Sequence, residues 1–253
     1  MREFCEPFCV ALKHMNPCGA GIGKDLMEAW TRAYEADKVS IYGGIVAMNR
    51  PLTKEVAEKM KPIFLEIVMA PSYDDDALEI LASKKNLRLL EVTMDNVKDP
   101  AKSYVGVNGG ILVQDADIQC KEITADMCVT TRKPTEKELE EMDFGWKIVK
   151  HVKSNAIVVV KDGATVGIGA GQMNRVGSAK IALEEAKAAG LTEGFVLASD
   201  GFLPFGDTVD LASQYGVTAI VQPGGSIRDE ESIKTADEKG ITMLFTGMRH
   251  FKH

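Results

Sequence analysis

The chain has 253 residues, enough for one large domain or two small ones, and its 45% hydrophobic and 26% charged content is ordinary for a globular protein. No apolar stretch approaches the ~20 residues of a membrane span, and Met1-Arg2-Glu3-Phe4 lacks the apolar core of a signal peptide, so a cytoplasmic protein without a membrane partner is expected. A net charge of −7 without a basic run argues against nucleic acid as a partner.

The first elements alternate. Phe8 to Leu12 is a short apolar run that reads as a buried strand. Lys24 to Ala36 carries Leu26, Met27, Trp30, Ala33 and Tyr34 at helical spacing. Ile45 to Met48 predicts a strand, Thr53 to Met60 a helix, and Phe64 to Ala70 a buried strand ended by Pro71. Asp74 to Lys84 is a helix with acidic residues in its first turn, as the dipole favours. Leu87 to Val92 is a further strand. This order predicts an α/β layered fold.

From Met94 to Arg132 the pattern weakens. Gly106, Gly109 and Gly110 suggest a loop leading into a strand at Ile111 to Gln114, and this stretch is the candidate linker between two halves, 1–130 and 131–253. Thr135 to Glu138 is a capping-box pattern after Pro134 and opens a helix to about His151. Ala156 to Lys161 and Thr165 to Ile168 read as strands joined at Asp162-Gly163, a hairpin signal. Helices follow at Val176 to Ala188, Asp207 to Tyr215 and Glu230 to Lys239, and strands at Phe195 to Ala198, Val217 to Val221 and Ile241 to Phe245. The halves have similar element orders, so a duplicated unit is possible, but no short repeat is visible.

Five segments could carry chemistry. Lys13-His14-Met15-Asn16-Pro17-Cys18-Gly19 follows the first strand, where α/β folds bind ligands; it reads either as a site turn with a histidine base or as a surface turn with incidental polar residues. Gly167-Ile168-Gly169-Ala170-Gly171-Gln172, with Arg175 beyond it, reads either as a loop that lets a backbone approach a ligand or as a plain turn; it is not the dinucleotide spacing. Ser199 to Asp207 holds two aromatics and two carboxylates that could sandwich a planar ring, or else core aromatics with Asp207 as a helix cap. Pro223-Gly224-Gly225-Ser226 is another strand-end turn, and the last residues, Arg249 to His253, either fray or serve as donors. The odd number of cysteines (Cys5, Cys9, Cys18, Cys120 and Cys128) fits free thiols, and Cys5, Cys9, His14 and Cys18 do not match paired zinc half-sites.

Taken in order, these segments resemble the AICAR (aminoimidazole-carboxamide ribonucleotide) transformylase domain of the bifunctional purine-biosynthesis enzymes. The resemblance rests on Lys-His-x-Asn-Pro-Cys-Gly from Lys13, Ala70 to Leu78, Ser154-Asn155, the Gly167 to Gln172 run with Arg175, Ser199 to Asp207, Pro223 to Ser226 and the terminal Arg-His-Phe-x-His. It implies two α/β/α subdomains of cytidine deaminase-like type and a homodimer with active sites at the subunit interface. It implies formyl transfer from 10-formyltetrahydrofolate to the 5-amino group of AICAR, without a catalytic metal, since the zinc deaminase signature is missing. By the same resemblance His14 is the base, Lys13 polarises the formyl group, and Asn155 positions the formyl oxygen or amine. Gly43, Glu66, Arg175, Phe202, Arg249, Phe251 and His253 would meet the nucleotide or lie beside it, and Pro204, Asp207 and Ser226 the folate.

Two departures set further expectations. The family's cyclohydrolase domain is missing from this sequence, so no cyclohydrolase activity is expected. The segment Arg/Lys-Tyr-Gly-x-Asn-Pro, which brings a phosphate-binding arginine, is also missing; Asn16-Pro17 is the only Asn-Pro. The chain is thus either a standalone formyltransferase or a partner subunit or fragment that needs another chain, such as a separate cyclohydrolase. A deaminase-like hydrolase is a weaker third reading.

Overall fold

The computed structural model describes residues 1–92 and 102–253. The first part of the candidate linker, 94–101, lies outside the described residues.

The chain begins with strands β1 (Phe8–Lys13) and β2 (Asn16–Ile22), then α1 (Leu26–Ala36), β3 (Gly44–Met48), α2 (Lys54–Met60), β4 (Leu65–Ala70), α3 (Asp75–Ala82) and β5 (Arg88–Glu91). A separate ribbon of β6 (Lys102–Val107) and β7 (Gly110–Asp115) follows. Helix α4 (Glu136–Val149) leads to β8 (Ile157–Lys161), β9 (Ala164–Gly169), α5 (Arg175–Ala188), β10 (Phe195–Ser199), α6 (Asp207–Gln214), β11 (Val217–Gln222), α7 (Asp229–Lys239) and β12 (Thr242–Phe245).

Ten strands form one sheet in the order β12-β11-β10-β8-β9-β2-β1-β3-β4-β5. The order contains a repeat. In each five-stranded half an antiparallel hairpin (β2-β1 or β9-β8) is followed by a third strand antiparallel to its first, then by two more parallel to the third. The halves join where β2 meets β9 antiparallel. The α/β expectation is met, and the similarity of element order becomes a repeat of topology.

Strand alternation sorts the core into layers. Cys9, Ala11, Val46, Met48 and Val68 pack with Trp30, Val56 and Leu81 of α1 to α3. Ile157, Val159, Leu197, Ile220 and Met243 pack with Leu183, Val209 and Ala236 of α5 to α7. The other face of both halves, including Phe8, Val10, Val158, Val160 and Ala198, packs on Met142, Trp146 and Val149 of α4. The Thr135–Glu138 capping box that starts α4 is present in full.

Three readings of the sequence are corrected. Strand β2 was not expected, because Pro17, Gly19 and Gly21 disfavour strands. Those glycines are there because α1 lies directly on β2: a methyl at Gly19 would overlap the Ala33 carbonyl oxygen. The same device corrects the ligand-approach reading of the Gly167 run. Gly167 and Gly169 are inside β9, and a methyl at either would overlap the α5 backbone at Ala182 or Ser178; of the three glycines only Gly171, at φ 66°, makes the turn. The expected loop at Gly106 is strand β6, closed onto β7 by the two-residue turn Asn108-Gly109.

Candidate functional site

Strand directions place every candidate residue at one end of the sheet. β1, β9, β10, β11 and β12 all run toward that end, and β2, β3, β4 and β8 start from it. Lys13 and His14 close the β1–β2 hairpin there, Gly43 precedes β3, Glu66 is second in β4, and Asn155 precedes β8. Arg175 opens α5 beyond β9; Phe202, Pro204 and Asp207 follow β10; Ser226 follows β11; Arg249, Phe251 and His253 follow β12. This is the carboxyl edge of the parallel strands of the second half, where ligands of open α/β sheets bind.

The hairpin turn is tight. His14 and Met15 both take positive φ, 53° and 67°, which turns the His14 side chain out at an exposed position between Lys13 and Asn16. The Lys13 ammonium donates to the Tyr42 carbonyl at 2.6 Å, and the Gly43 amide donates to the Phe64 carbonyl at 2.8 Å, so the Gly43 loop stands between the hairpin and β4. Glu66 pairs with Arg88 at 2.8 Å on exposed surface.

Across the seam a second group is tightly bonded. Asn174 caps α5 by accepting from the Gly177 amide at 2.7 Å, which makes Arg175 the first helical residue. From there Arg175 reaches under the strand ends: Nη1 pairs with the Asp200 carboxylate and donates to Ser199 Oγ at 3.0 Å, and Nη2 donates to Asn155 Oδ1 at 2.8 Å. Asn155 Nδ2 donates to the Gln172 carbonyl at 2.8 Å. Asp200 is fully buried, so its carboxylate is not available to sandwich a ring, as the sequence had suggested. Asp207 is not the helix cap; Gly206 is, and Asp207 is the first residue of α6, its carboxylate accepting from the Thr208 amide at 2.7 Å.

The tail is docked rather than frayed. The Ser154 amide donates to the Lys252 carbonyl at 2.9 Å, and the Lys252 amide donates to Ser154 Oγ at 3.2 Å. The His250 amide donates to the Asp200 carbonyl at 3.1 Å. The His250 ring, fully buried, meets Asp117 at 2.8 Å through Nδ1 and leans on Trp146 with centroids 4.7 Å apart. Burial holds the imidazole below its usual pKa, against the opposing pull of Asp117. This anchor sends Arg249 over the Phe202 ring at 5.0 Å and sets Phe251 against Gly201 and Arg175, while His253 stays exposed with its ring 6.3 Å from Phe251. Phe205 is exposed under Arg228. Ser226, through its amide, is held by Asp229 at 3.1 Å. Pro204 is half-buried between Leu203 and Phe205. Burial also pushes the Lys252 ammonium pKa down, with Lys153 adding to the effect.

A hydrogen bond links the two groups: Asn16 Oδ1, on the first residue of β2, accepts from the Lys153 amide at 2.9 Å. Beyond it they diverge. β3 and β10 are five strand steps apart, about 24 Å at the usual spacing. The tail's other side lines a cleft of about 430 Å³ with His151, Asp117 and the β6–β7 ribbon.

The sequence pointed to Ser154, Asp200 and His250 within its candidate segments but not to their roles as anchors, because nothing in their spacing tells a buried anchor from an exposed ligand. The five cysteines are free, and Cys9 is buried within the first half's core. Among the described residues, no helix is long and apolar enough to cross a membrane, and no cluster of His, Cys, Asp and Glu is arranged to hold a metal.

Comparison with known proteins gives a consistent result. The AICARFT/IMPCHase bienzyme family matches residues 1–185. Bifunctional purine biosynthesis protein PurH from Bacillus cytotoxicus is 58% identical over 253 residues, covering 100% of this chain and 49% of that protein. The Bacillus mycoides protein of the same name is also 58% identical, and that of Bacillus cereus strain AH820 is 56% identical, with the same coverage. The chain spans about half the length of the curated relatives it matches. A solved structure of dCMP deaminase from cyanophage S-TIM5 overlaps 34% of this chain and 79% of its own at 10% identity, with a TM-score of 0.28, too low to bear on the fold.

Proposed function

The chain belongs to the AICARFT/IMPCHase bienzyme family and has a purine-biosynthesis role; on that premise we propose that it is the transformylase part, divided near 130/131. It transfers a formyl group from 10-formyltetrahydrofolate to the 5-amino group of AICAR, giving FAICAR for inosine monophosphate synthesis. The observation that carries this reading is the gathering of Lys13, His14, Asn155, Arg175 and the docked tail along one sheet edge, bridged by Asn16 and Lys153.

The chemistry needs three things there. The AICAR amine attacks the formyl carbon, and its proton passes to His14 as the new C–N bond forms. Negative charge gathers on the formyl oxygen, where the Lys13 ammonium and the second N–H of the Asn155 amide are the available donors. The bond from the formyl carbon to folate N10 then breaks, and N10 takes the proton that His14 collected from the amine, which returns His14 to its neutral form. An aromatic amine is a weak nucleophile, so most of the rate must come from holding it in line. Arg249 on Phe202, with Phe251 beside Arg175, suits a planar, anionic nucleotide. Pro204, Asp207 and Ser226 border the same strand ends and are the proposed folate contacts.

The five strand spacings, roughly 24 Å, between β3 beside Gly43 and β10 beside Phe202 are more than a single nucleotide can bridge. This span favours a homodimer in which one copy's Gly43–Glu66 side completes the other's tail side. A formyl-transfer assay on the purified chain tests the reading. Turnover, lost in His14→Ala, supports a self-sufficient transferase. Absence of turnover that returns when a separate cyclohydrolase chain is added supports the partner-subunit reading instead, and absence under both conditions rejects formyl transfer.

A further inference from the structure

The geometry points to Asp200 as a positioning residue that holds Asn155 in place from three directions; its catalytic meaning rests on the formyl-transfer reading above. Asp200 lies in the turn after β10, 0% exposed. Its Oδ2 accepts from the hydroxyl of Ser154, and its Oδ1 accepts from the amide of Ala156 at 3.1 Å, so one carboxylate holds the residues on both sides of Asn155. The Asp200 amide adds a bond to the Ala156 carbonyl at 3.3 Å. The third direction is through the side chain. Oδ1 also pairs with Arg175, and the same guanidinium donates to Asn155 Oδ1 at 2.8 Å.

These bonds fix which face Asn155 offers. Its Oδ1 is turned to Arg175 and one Nδ2 hydrogen to the Gln172 carbonyl, leaving the second Nδ2 hydrogen for a ligand. Arg175 is a bridge rather than a free cation, because its charge is balanced by a carboxylate with no water access. Asp200 also receives the tail, since its carbonyl accepts the His250 amide at 3.1 Å. One buried residue therefore sets the register of the Asn155 loop and the Arg175 guanidinium through its carboxylate, and that of the chain carrying Phe251 through its carbonyl.

The test reads Asn155 directly. In the chain labelled with [15N]asparagine, the Asn155 side-chain amide is assigned by its disappearance in Asn155→Asp. Asp200→Asn is expected to raise the hydrogen exchange of that amide at least about tenfold, while the buried amide of Asn49, bonded to Phe4 and Glu6 far along β3, keeps its rate. Formyl transfer in the same variant is expected to show kcat down about 10- to 100-fold with the KM for AICAR within about threefold, the pattern of misplacement rather than lost binding. If Asp200→Asn disrupts the Asn49 signal, Arg175→Lys serves instead: lysine keeps the charge but cannot bridge carboxylate and amide, so the Asn155 amide is expected to be released in a folded chain. Unchanged Asn155 exchange in either folded variant overturns the proposal. Released Asn155 in a chain whose unsubstituted form has no transfer activity, alone or with a separate cyclohydrolase chain, leaves the positioning role standing and removes the formyl-transfer reading.

Discussion

Asn16 Oδ1 accepts the Lys153 amide at 2.9 Å, and this bond ties the hairpin turn that carries His14 to the loop that carries Asn155. The proposed base and the proposed oxyanion donor belong to different halves of the sheet, which this contact joins at the site end beside the β2–β9 pairing. Asn16→Ala should leave both residues intact yet lower kcat about tenfold, since small displacements of reacting groups are expensive. Steady-state kinetics unchanged from the parent chain would show that the spacing is set elsewhere.

His14→Ala should remove the acceptor of the amine proton and lower kcat by ~10²- to 10⁴-fold. Nucleotide affinity, measured by calorimetry, should fall far less. A large loss of affinity with little loss of kcat would reassign His14 to binding.

Arg249→Ala should weaken nucleotide binding by about tenfold or more, the scale of one charge-assisted contact. The Phe202 ring would lose its cationic cover at the same time. An unchanged dissociation constant would place the nucleotide away from the tail.

Gly167→Ala should destabilise the fold by about 1–3 kcal/mol, because the added methyl meets α5 backbone that cannot move aside. Gly106→Ala, where nothing lies within 4 Å, should stay within ~0.5 kcal/mol. Urea unfolding of the two variants side by side gives the comparison, and equal midpoints would refute the packing argument.

His250 sets a pH dependence. Its folded pKa is below the ordinary 6.5, chiefly through burial, with Lys150 helping and Asp117 and Glu3 opposing. The unfolded chain thus binds the proton more readily, so the His250 contribution is whole above about pH 6.5 and shrinks as pH falls below it. Glu3 stays charged through that range: burial would raise its carboxyl, but His151 and Lys150 outweigh this and bring it to about 2. Thermal midpoints of the parent chain and His250→Gln should converge on going from pH 7 to pH 5. A constant gap between them would mean the imidazole does not titrate against the fold.

Much of this fold is legible in the sequence, because most elements announce themselves locally. The Thr135–Glu138 box starts α4, Asp162-Gly163 turns β8 into β9, and apolar runs mark β1, β4 and β10. What was hidden depends on contacts between distant elements. Strand β2 looks like a loop until α1 is laid on Gly19 and Gly21. The candidate residues could be named from motif order, but their assembly follows from strand directions that no single segment contains. Asp200 is the clearest case: in sequence it is one of two carboxylates in a turn, and only its bonds to Ser154, Ala156 and Arg175, 46, 44 and 25 residues away, make it the holder of Asn155.

Because β2 and β9 meet antiparallel, the two repeats point opposite ways, and each presents its hairpin turn beside the other's carboxyl strand edge. Ile22, at the end of β2, already reaches the Gly163 turn at 2.9 Å, the counterpart of the Asn16–Lys153 bond at the other end. A polypeptide nicked in the connector would therefore yield two fragments, each with half of two edges and a bare strand seeking its mate. Complementation on mixing would be a direct gauge of how much of the fold is encoded in that one seam.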